Sequence, residues 1–207
     1  MSVTCVDLIA KGYAKDCARE PKKGLGREAI LINYEDVDWE NVVVGADANI
    51  ITTLPLKSGG KQGYSVVNFK DPFNGTVKAF HEGIYINSWD KTFVFATITR
   101  DQKQSLQLND PLANAKFIAI VRNEDAGSDG KCTFEMYGYH NGLKLTAADH
   151  NPYGDTYGGD LFTAQEQEAG RSAMYLFNTD VPTTEAAVQS YLTPTVTPTP
   201  SVSQGEE

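Results

Sequence analysis

The sequence has little cysteine and histidine and no long apolar run. Its 207 residues include three cysteines and three histidines, and no stretch approaches the roughly 18 apolar residues of a membrane-spanning helix. We therefore expect no membrane partner. The N-terminal residues lack the charged start, apolar core and small-residue cleavage site of a signal peptide. An odd number of cysteines without an export signal is typical of reduced thiols in a cytoplasm.

The motifs of common catalytic sites are also missing from the sequence. It contains no G-x-S-x-G elbow, no phosphate-binding loop, no G-x-G-x-x-G and no H-E-x-x-H. The cysteines show no metal-ligand spacing, and Cys17 has no histidine near it in sequence that could activate it. We therefore predict that the chain is not an enzyme and that it binds no cofactor.

One stretch nevertheless collects residues that could bind a metal ion. Between Phe134 and Asp160 the candidate ligands are His140, Asp149, His150, Asp155 and Asp160. Imidazole and carboxylate groups bind zinc or iron, and carboxylates with backbone carbonyls bind calcium. Asp, Asn and Gly are equally the residues that turns require. We favour a turn-rich loop and predict no metal, with calcium binding by residues 149–160 as the open alternative.

Charge is unevenly distributed along the chain. The net charge of -9 argues against a general affinity for nucleic acid. Residues 1–27 nonetheless hold six basic and three acidic residues, which leaves 12 basic and 24 acidic residues in the rest. A basic arm can bind the acidic body of a neighbouring copy, bind nucleic acid, or stay solvated. Its candidate contact residues are Lys11, Lys15, Arg19, Lys22 and Lys23.

Alternating apolar residues predict a mostly β fold, an antiparallel β-sandwich or barrel with one or two short helices. The segment "KFIAIVR" (Lys116 to Arg122) is apolar on both faces, so it needs cover from a second sheet, a helix or a neighbouring subunit. The predicted strands cover residues 27–33, 64–69, 76–81, 91–99, 116–122, 131–140, 143–148 and 172–178.

The composition divides the chain into three segments. We predict a basic N-terminal arm over residues 1–26 and a single β-rich domain over residues 27–192. Residues 193–207 are rich in Thr and Pro and end in two acids, so we predict a disordered C-terminal tail.

Two Asn-Gly dipeptides predict β-hairpins. A turn at Asn74-Gly75 pairs Asp71 with Lys78, which places opposite charges across the two strands. A turn at Asn141-Gly142 pairs the strands before and after it and sorts their apolar residues onto one face. Both dipeptides therefore predict antiparallel neighbours.

Two short segments have helical patterns. "TAQE" (Thr163 to Glu166) has the spacing of a capping box, and Gly170 follows as a plausible stop. Residues Thr183 to Leu192 place Val188, Tyr191 and Leu192 on one face of a second helix. Such a stripe is typical of a packing face.

Tyrosines supply the candidate contact surface of the domain. Amphipathic tyrosine rings are typical both of protein interfaces and of sugar-binding sites. We predict that they face another subunit, and a carbohydrate-binding β-sandwich module is an alternative. The tyrosines concerned are Tyr137, Tyr139, Tyr153 and Tyr157.

Several stretches resemble virion structural proteins of tailed bacteriophages, in particular the tail tube (major tail protein) type. They are "DCAREPKKGLGREAILINYEDVD", "FEMYGYHNGL", "YGGDLFTAQEQEAG" and "YLFNTDVPTTEAAVQSYL". The resemblance implies a β-sandwich or barrel with a flanking helix and no catalytic residues. It also implies a homo-oligomer of stacked rings, hexameric in this family, around an acidic channel through which DNA passes without sequence-specific binding.

The same resemblance implies partners and a location. The expected partners are further copies of the chain and other virion proteins, and the expected location is the virion, after assembly in the cytoplasm of a bacterial host. A different virion component, such as a head–tail connector or a capsid decoration protein, is the near alternative.

Overall fold

Strands dominate the part of the chain that the computed structural model describes, which is residues 24–67, 77–82, 87–97, 102, 105–150 and 159–194. The strands are β1 (Leu25–Asn33), β2 (Val43–Val44), β3 (Ile50–Thr53), β4 (Tyr64–Val67), β5 (Val77–His81), β6 (Ser88–Ala96), β7 (Lys116–Asn123), β8 (Phe134–Tyr137), β9 (Leu143–His150), β10 (Asp160–Ala169) and β11 (Met174–Leu176). The helices are α1 (Asp110–Leu112), which follows a π-helical turn (Ser105–Asn109), and α2 (Val181–Ser190), and a 3-10 turn (Tyr34–Asp36) follows β1.

All of these strands belong to one open sheet. Its order is β2-β3-β11-β8-β7-β9-β10-β6-β5, and β1 pairs with both β7 and β4. Among the described strands, β3 and β11 form the one parallel pair, and the other pairs are antiparallel. The prediction of a mostly β fold with one or two short helices is confirmed. None of the described helices is long and apolar enough to cross a membrane.

The sheet curls so that distant strands face each other across a first core. Phe93 of β6 lies with its ring centroid 5.4 Å from that of Tyr137 in β8. Phe95 of β6 lies 6.4 Å from Phe117 of β7, centroid to centroid. Since β9 and β10 separate β6 from β7 in the sheet order, these contacts show that the sheet curls until β6 packs against β7 and β8.

A second core lies on the other face of β1 and β7. Ile30 of β1 and Ile120 of β7 are buried there, with Leu54 from the segment after β3 and Val188 from α2. The next residues along the same strands, such as Ala119, belong to the first core. This arrangement confirms the prediction that "KFIAIVR" is covered on both sides, and a helix provides part of the cover.

The predicted helix at Thr163 is wrong, because these residues lie within β10. Thr163 pairs with Val94 of β6 on one side and with Ala147 of β9 on the other. Phe162 and Ala164 point into the interior in strict alternation. Two flanking strands satisfy the backbone of this segment along its length, and this tertiary pairing overrides the local capping-box pattern.

The predicted hairpin at Asn141-Gly142 is also wrong. Met136 of β8 pairs with Ile120 of β7 and with Met174 of β11, and Ala147 of β9 pairs instead with β10. The chain leaves β8 at Gly138, whose φ of 84° is open to glycine and strained for other residues. All four residues of β8 are buried, because Tyr137 faces the first core and Phe134 and Met136 face the second.

The other predicted hairpin falls outside the described residues. The pair Asp71 and Lys78 depends on residues 68–76, which the structure does not describe. Within the described part, β4 pairs with β1, and β5 pairs with β6. The N-terminal arm up to residue 23 and the tail from residue 195 also lie outside it.

The second predicted helix is confirmed as α2. Asp180 is its N-cap, and the Asp180 carboxylate accepts a hydrogen bond of 2.7 Å from the backbone N–H of Thr183. This bond lowers the pKa of the Asp180 carboxyl group. Pro182 stands in the first turn, where a missing N–H costs no helical hydrogen bond.

Candidate functional site

The stretch that first suggested chemistry is organised around a buried carboxylate. The Glu166 side chain accepts backbone hydrogen bonds from Gly138 at 3.1 Å, His140 at 2.7 Å and Asn141 at 3.0 Å. Lys91 Nζ lies 3.4 Å from Glu166 Oε2. Converging backbone N–H groups of this kind form an anion site, and here the chain fills that site with its own residue.

The position of Glu166 assigns it a structural role. Both Glu166 and Lys91 have side chains that are 0% exposed. A general acid or base must reach a substrate, and a fully buried pair does not. The carboxylate instead fixes the backbone between β8 and β9 in place of the predicted hairpin.

His140 lies at the edge of this cluster with a buried ring nitrogen. Within the described part of the chain, His140 Nε2 has no hydrogen-bond partner. Burial lowers the pKa of His140, the negative charge of Glu166 opposes that shift, and the positive charges of Lys91 and Arg171 add to it. The neutral imidazole is therefore favoured at this position.

The remaining candidate metal ligands are separated from His140. His150 Nδ1 lies 3.1 Å from Asp160 Oδ1, and Asn109 Nδ2 donates to Asp160 Oδ2 at 2.6 Å. The His150–Asp160 pair lies at the C-terminal end of β9, whereas His140 precedes the N-terminal end of that strand. No group of three or more metal-ligating side chains occurs in the described residues, and Asp155 lies outside them.

The structure describes two of the four tyrosines that were predicted to form a contact surface, and one of the two is buried. Tyr137 is only 2% exposed and belongs to the first core, so it is not available to a partner. Its ring packs across the first core, with its centroid 5.4 Å from that of Phe93 in β6. Tyr139 is half-buried, with its ring centroid 5.5 Å from that of Trp39. Tyr153 and Tyr157 lie outside the described residues.

Exposed apolar side chains instead mark the two ends of the sheet. Val43 and Val44 of β2 are each 51% exposed, and Phe80 of β5 is 60% exposed. Strands β2 and β5 are the first and last in the sheet order, so each has one edge without a strand in the described part of the chain. Open edges with apolar side chains are templates for pairing with another chain. These two edges are the candidate assembly surfaces.

A third edge lies at β4. Within the described residues this strand pairs only with β1. Tyr64 and Val67 are exposed along it, while Val66 between them is buried in the first core. The three sheet edges therefore all carry large apolar side chains in contact with solvent.

A cavity of about 250 Å³ lies between β1, β7 and α2. Its floor includes Ile120 and Val188, and its rim carries Arg122, Glu124 and Glu185. Arg122 is held by Glu185 at 3.1 Å. Both signs of charge therefore line the rim.

No protein family, curated protein or solved structure matches this chain. The resemblance to tail tube proteins therefore stays a prediction. So do the basic contact residues of the arm, Lys11, Lys15, Arg19, Lys22 and Lys23, which lie outside the described residues.

The Lys91–Glu166 pair was not among the predicted contacts, although the sequence carries a signal for it. Lys91 stands two residues before Phe93, and Glu166 stands two residues after Ala164, so each charge falls on an apolar face of period two. A single charge on such a face predicts a buried partner of opposite sign. The structure pairs the two residues directly across β6 and β10.

Proposed function

We propose that this chain is a structural subunit of a bacteriophage virion, of the tail tube type, that assembles into rings. The observation that carries the proposal is the pair of open, apolar sheet ends at β2 and β5. A domain with filled cores and exposed apolar strands at both ends of its sheet is suited to contact further copies of itself.

The two ends favour a closed ring over a symmetric dimer. Contact between β2 of one copy and β5 of the next joins two different surfaces, which is a heterologous interface. Repeated head-to-tail contacts of this type generate a ring when the rotation closes. The resemblance to tail tube proteins adds two further features to the proposal, which are six copies per ring and the stacking of rings into a tube.

The charge of the chain supports a channel for DNA. Residues 28–207 hold 12 basic and 24 acidic residues. An acidic lumen repels the phosphate backbone, so DNA passes without sequence-specific binding. The basic arm can then bind the acidic body of a neighbouring copy. The proposed location is the virion, after assembly in the cytoplasm of a bacterial host, with other virion proteins as further partners.

Edge variants test the proposal. A lysine on an edge strand blocks strand pairing at little cost to the fold, so Val43→Lys and Phe80→Lys should each abolish rings and tubes. Leu106→Lys is the matched control, because Leu106 is 61% exposed but lies in the π-helical turn. Mass photometry and electron microscopy of the purified proteins give the readout.

Three results separate the possibilities. Stacked rings that disappear in both edge variants and persist in the control support the tail tube. Single rings that do not stack point to a connector. A wild-type chain that stays monomeric at high concentration contradicts assembly altogether.

A further inference from the structure

The open edge of β4 begins at a contact with the end of α2. The backbone N–H of Gly63 donates a 2.7 Å hydrogen bond to the carbonyl of Tyr191. Gly63 immediately precedes β4, and alternate residues of a strand direct their N–H and C=O groups to the same side. The N–H and C=O groups of Ser65 and Val67 therefore point to this same edge, away from β1.

The chain leaves the described region at the same place. After α2, residues 191–194 turn beside Gly63, and residues 195–207 follow. A chain continuing from this point along the edge runs in the direction of β4, because β4 also begins here. An extended strand advances about 3.3 Å per residue, so a few residues of the tail span the whole of β4.

The sequence of the tail has a pattern that fits one edge of a strand. Its prolines all occupy even positions, and the threonines between them occupy odd positions and retain their N–H groups. In an extended strand the two sets point to opposite sides, and proline is tolerated in strands where its nitrogen faces solvent. The residues are Pro194, Pro198 and Pro200 in the first set and Thr195, Thr197 and Thr199 in the second.

We propose that residues 195–199 add to the open edge of β4 as a parallel strand of the same chain. Thr195 and Thr197 would donate to the carbonyls of Gly63 and Ser65, and Val67 would donate back to the tail. The composition of the tail predicts disorder when it stands alone, and β4 supplies the backbone partner that it lacks.

The added strand also ends the sheet. Its outward side carries Pro198, which offers no N–H to another chain. Pairing between copies is then left to β2 and β5. The proposal rests on the β4 edge and the tail sequence, so it stands or fails independently of the virion function.

Amide hydrogen exchange measured by NMR tests the proposal on the full chain, at a dilution where it is monomeric. We expect the Ser65 and Val67 amides to be protected. Ending the chain after Pro194 should accelerate their exchange at least about tenfold, since exchange follows the local opening equilibrium.

A matched pair of proline variants tests the predicted side of pairing. Thr197→Pro removes a donor that faces β4 and should abolish the protection. Val196→Pro adds a proline on the outward side and should preserve it. Both substitutions fall after residue 194 and change no side chain of the two described cores, so both chains should fold.

Four results would overturn the proposal. The first is fast exchange of both amides in the full chain, and the second is equal protection with and without residues 195–207, which would mean that another part of the chain covers β4. The third is an equal effect of the two proline variants. The fourth is protection that appears only at high concentration, which would assign the strand to a second copy.

Discussion

Lys91 Nζ lies 3.4 Å from Glu166 Oε2, and neither side chain has any exposure to solvent. The two residues are direct partners in the β6–β10 ladder. Glu166 also holds three backbone N–H groups of the loop after β8. One carboxylate therefore joins two strands and a loop, and removing its charge affects all of them.

Glu166→Gln should lower the free energy of unfolding by about 3–5 kcal/mol, because it leaves the Lys91 charge buried without a counter-ion. Urea denaturation followed by tryptophan fluorescence measures the change. Glu185→Gln is the control, since its partner Arg122 is half-exposed and such pairs contribute about 0–1 kcal/mol. Adding Lys91→Met to Glu166→Gln should recover much of the loss. Equal effects of the two single variants would contradict the structural role of Glu166.

Gly138→Ala should destabilise the chain more than Gly59→Ala does. Both glycines have positive φ, 84° and 102°, so each alanine pays a left-handed backbone penalty of about 1–2 kcal/mol. An added Cβ at Gly138 would lie 2.6 Å from the carbonyl oxygen of Phe117, whereas at Gly59 it meets nothing within 4 Å. The difference in unfolding free energy between the variants therefore measures the clash, and a difference of zero would contradict the close approach.

His140 should make stability fall on the acid side of neutrality. Burial lowers its pKa in the folded chain, so the unfolded chain binds the proton first as pH falls below about 6.5. The contribution of neutral His140 to the free energy of unfolding is complete above that pH, and it is lost as the pH falls toward the pKa of His140 in the folded chain. Unfolding free energies at pH 7.5 and 5.5 should differ more in the wild type than in His140→Gln. An NMR titration of the His140 ring that shows an ordinary midpoint would refute the prediction.

Tyr191 should ionise late in an alkaline titration. Burial raises the pKa of Tyr191 to about 12, against a smaller opposing hydrogen bond with the backbone of Leu54. Because the folded pKa lies above the unfolded value of about 10, this tyrosine stabilises the fold below pH 10 and loses that effect as pH rises through 12. Absorbance at 295 nm, compared between wild type and Tyr191→Phe, should show the missing step near pH 12. A difference centred near pH 10 would show an exposed phenol.

The parts of the fold that the sequence predicted correctly are those with a local cause. No polar residue interrupts the apolar residues of "KFIAIVR". This run by itself predicts a strand that is covered on both faces. The sequence signals for α2 are its apolar stripe and Pro182 in the first turn, and both lie within one short segment.

The errors occurred where a distant residue determines the local structure. Hydrogen bonds to Glu166 determine the conformation of the loop after β8, and its own Asn-Gly dipeptide does not. Glu166 is 28 residues from Gly138 in the sequence. The segment at Thr163 is a strand because it pairs with β6 and β9. A capping-box pattern carries no information about those two strands. The open ends at β2 and β5 are properties of strand order, and a sequence pattern alone does not predict that order.

The pair of strands β1 and β7 lies between the two cores, and this position has a mechanical consequence. Ile30 packs into the second core and Ala29 into the first, so separating β1 from β7 opens both cores at once. No half of the domain can then keep its packing while the other half loosens, and local opening becomes global opening. A tension applied between β2 and β5 would be carried through β7, which lies between these two strands in the sheet order, whereas β1 lies off that path.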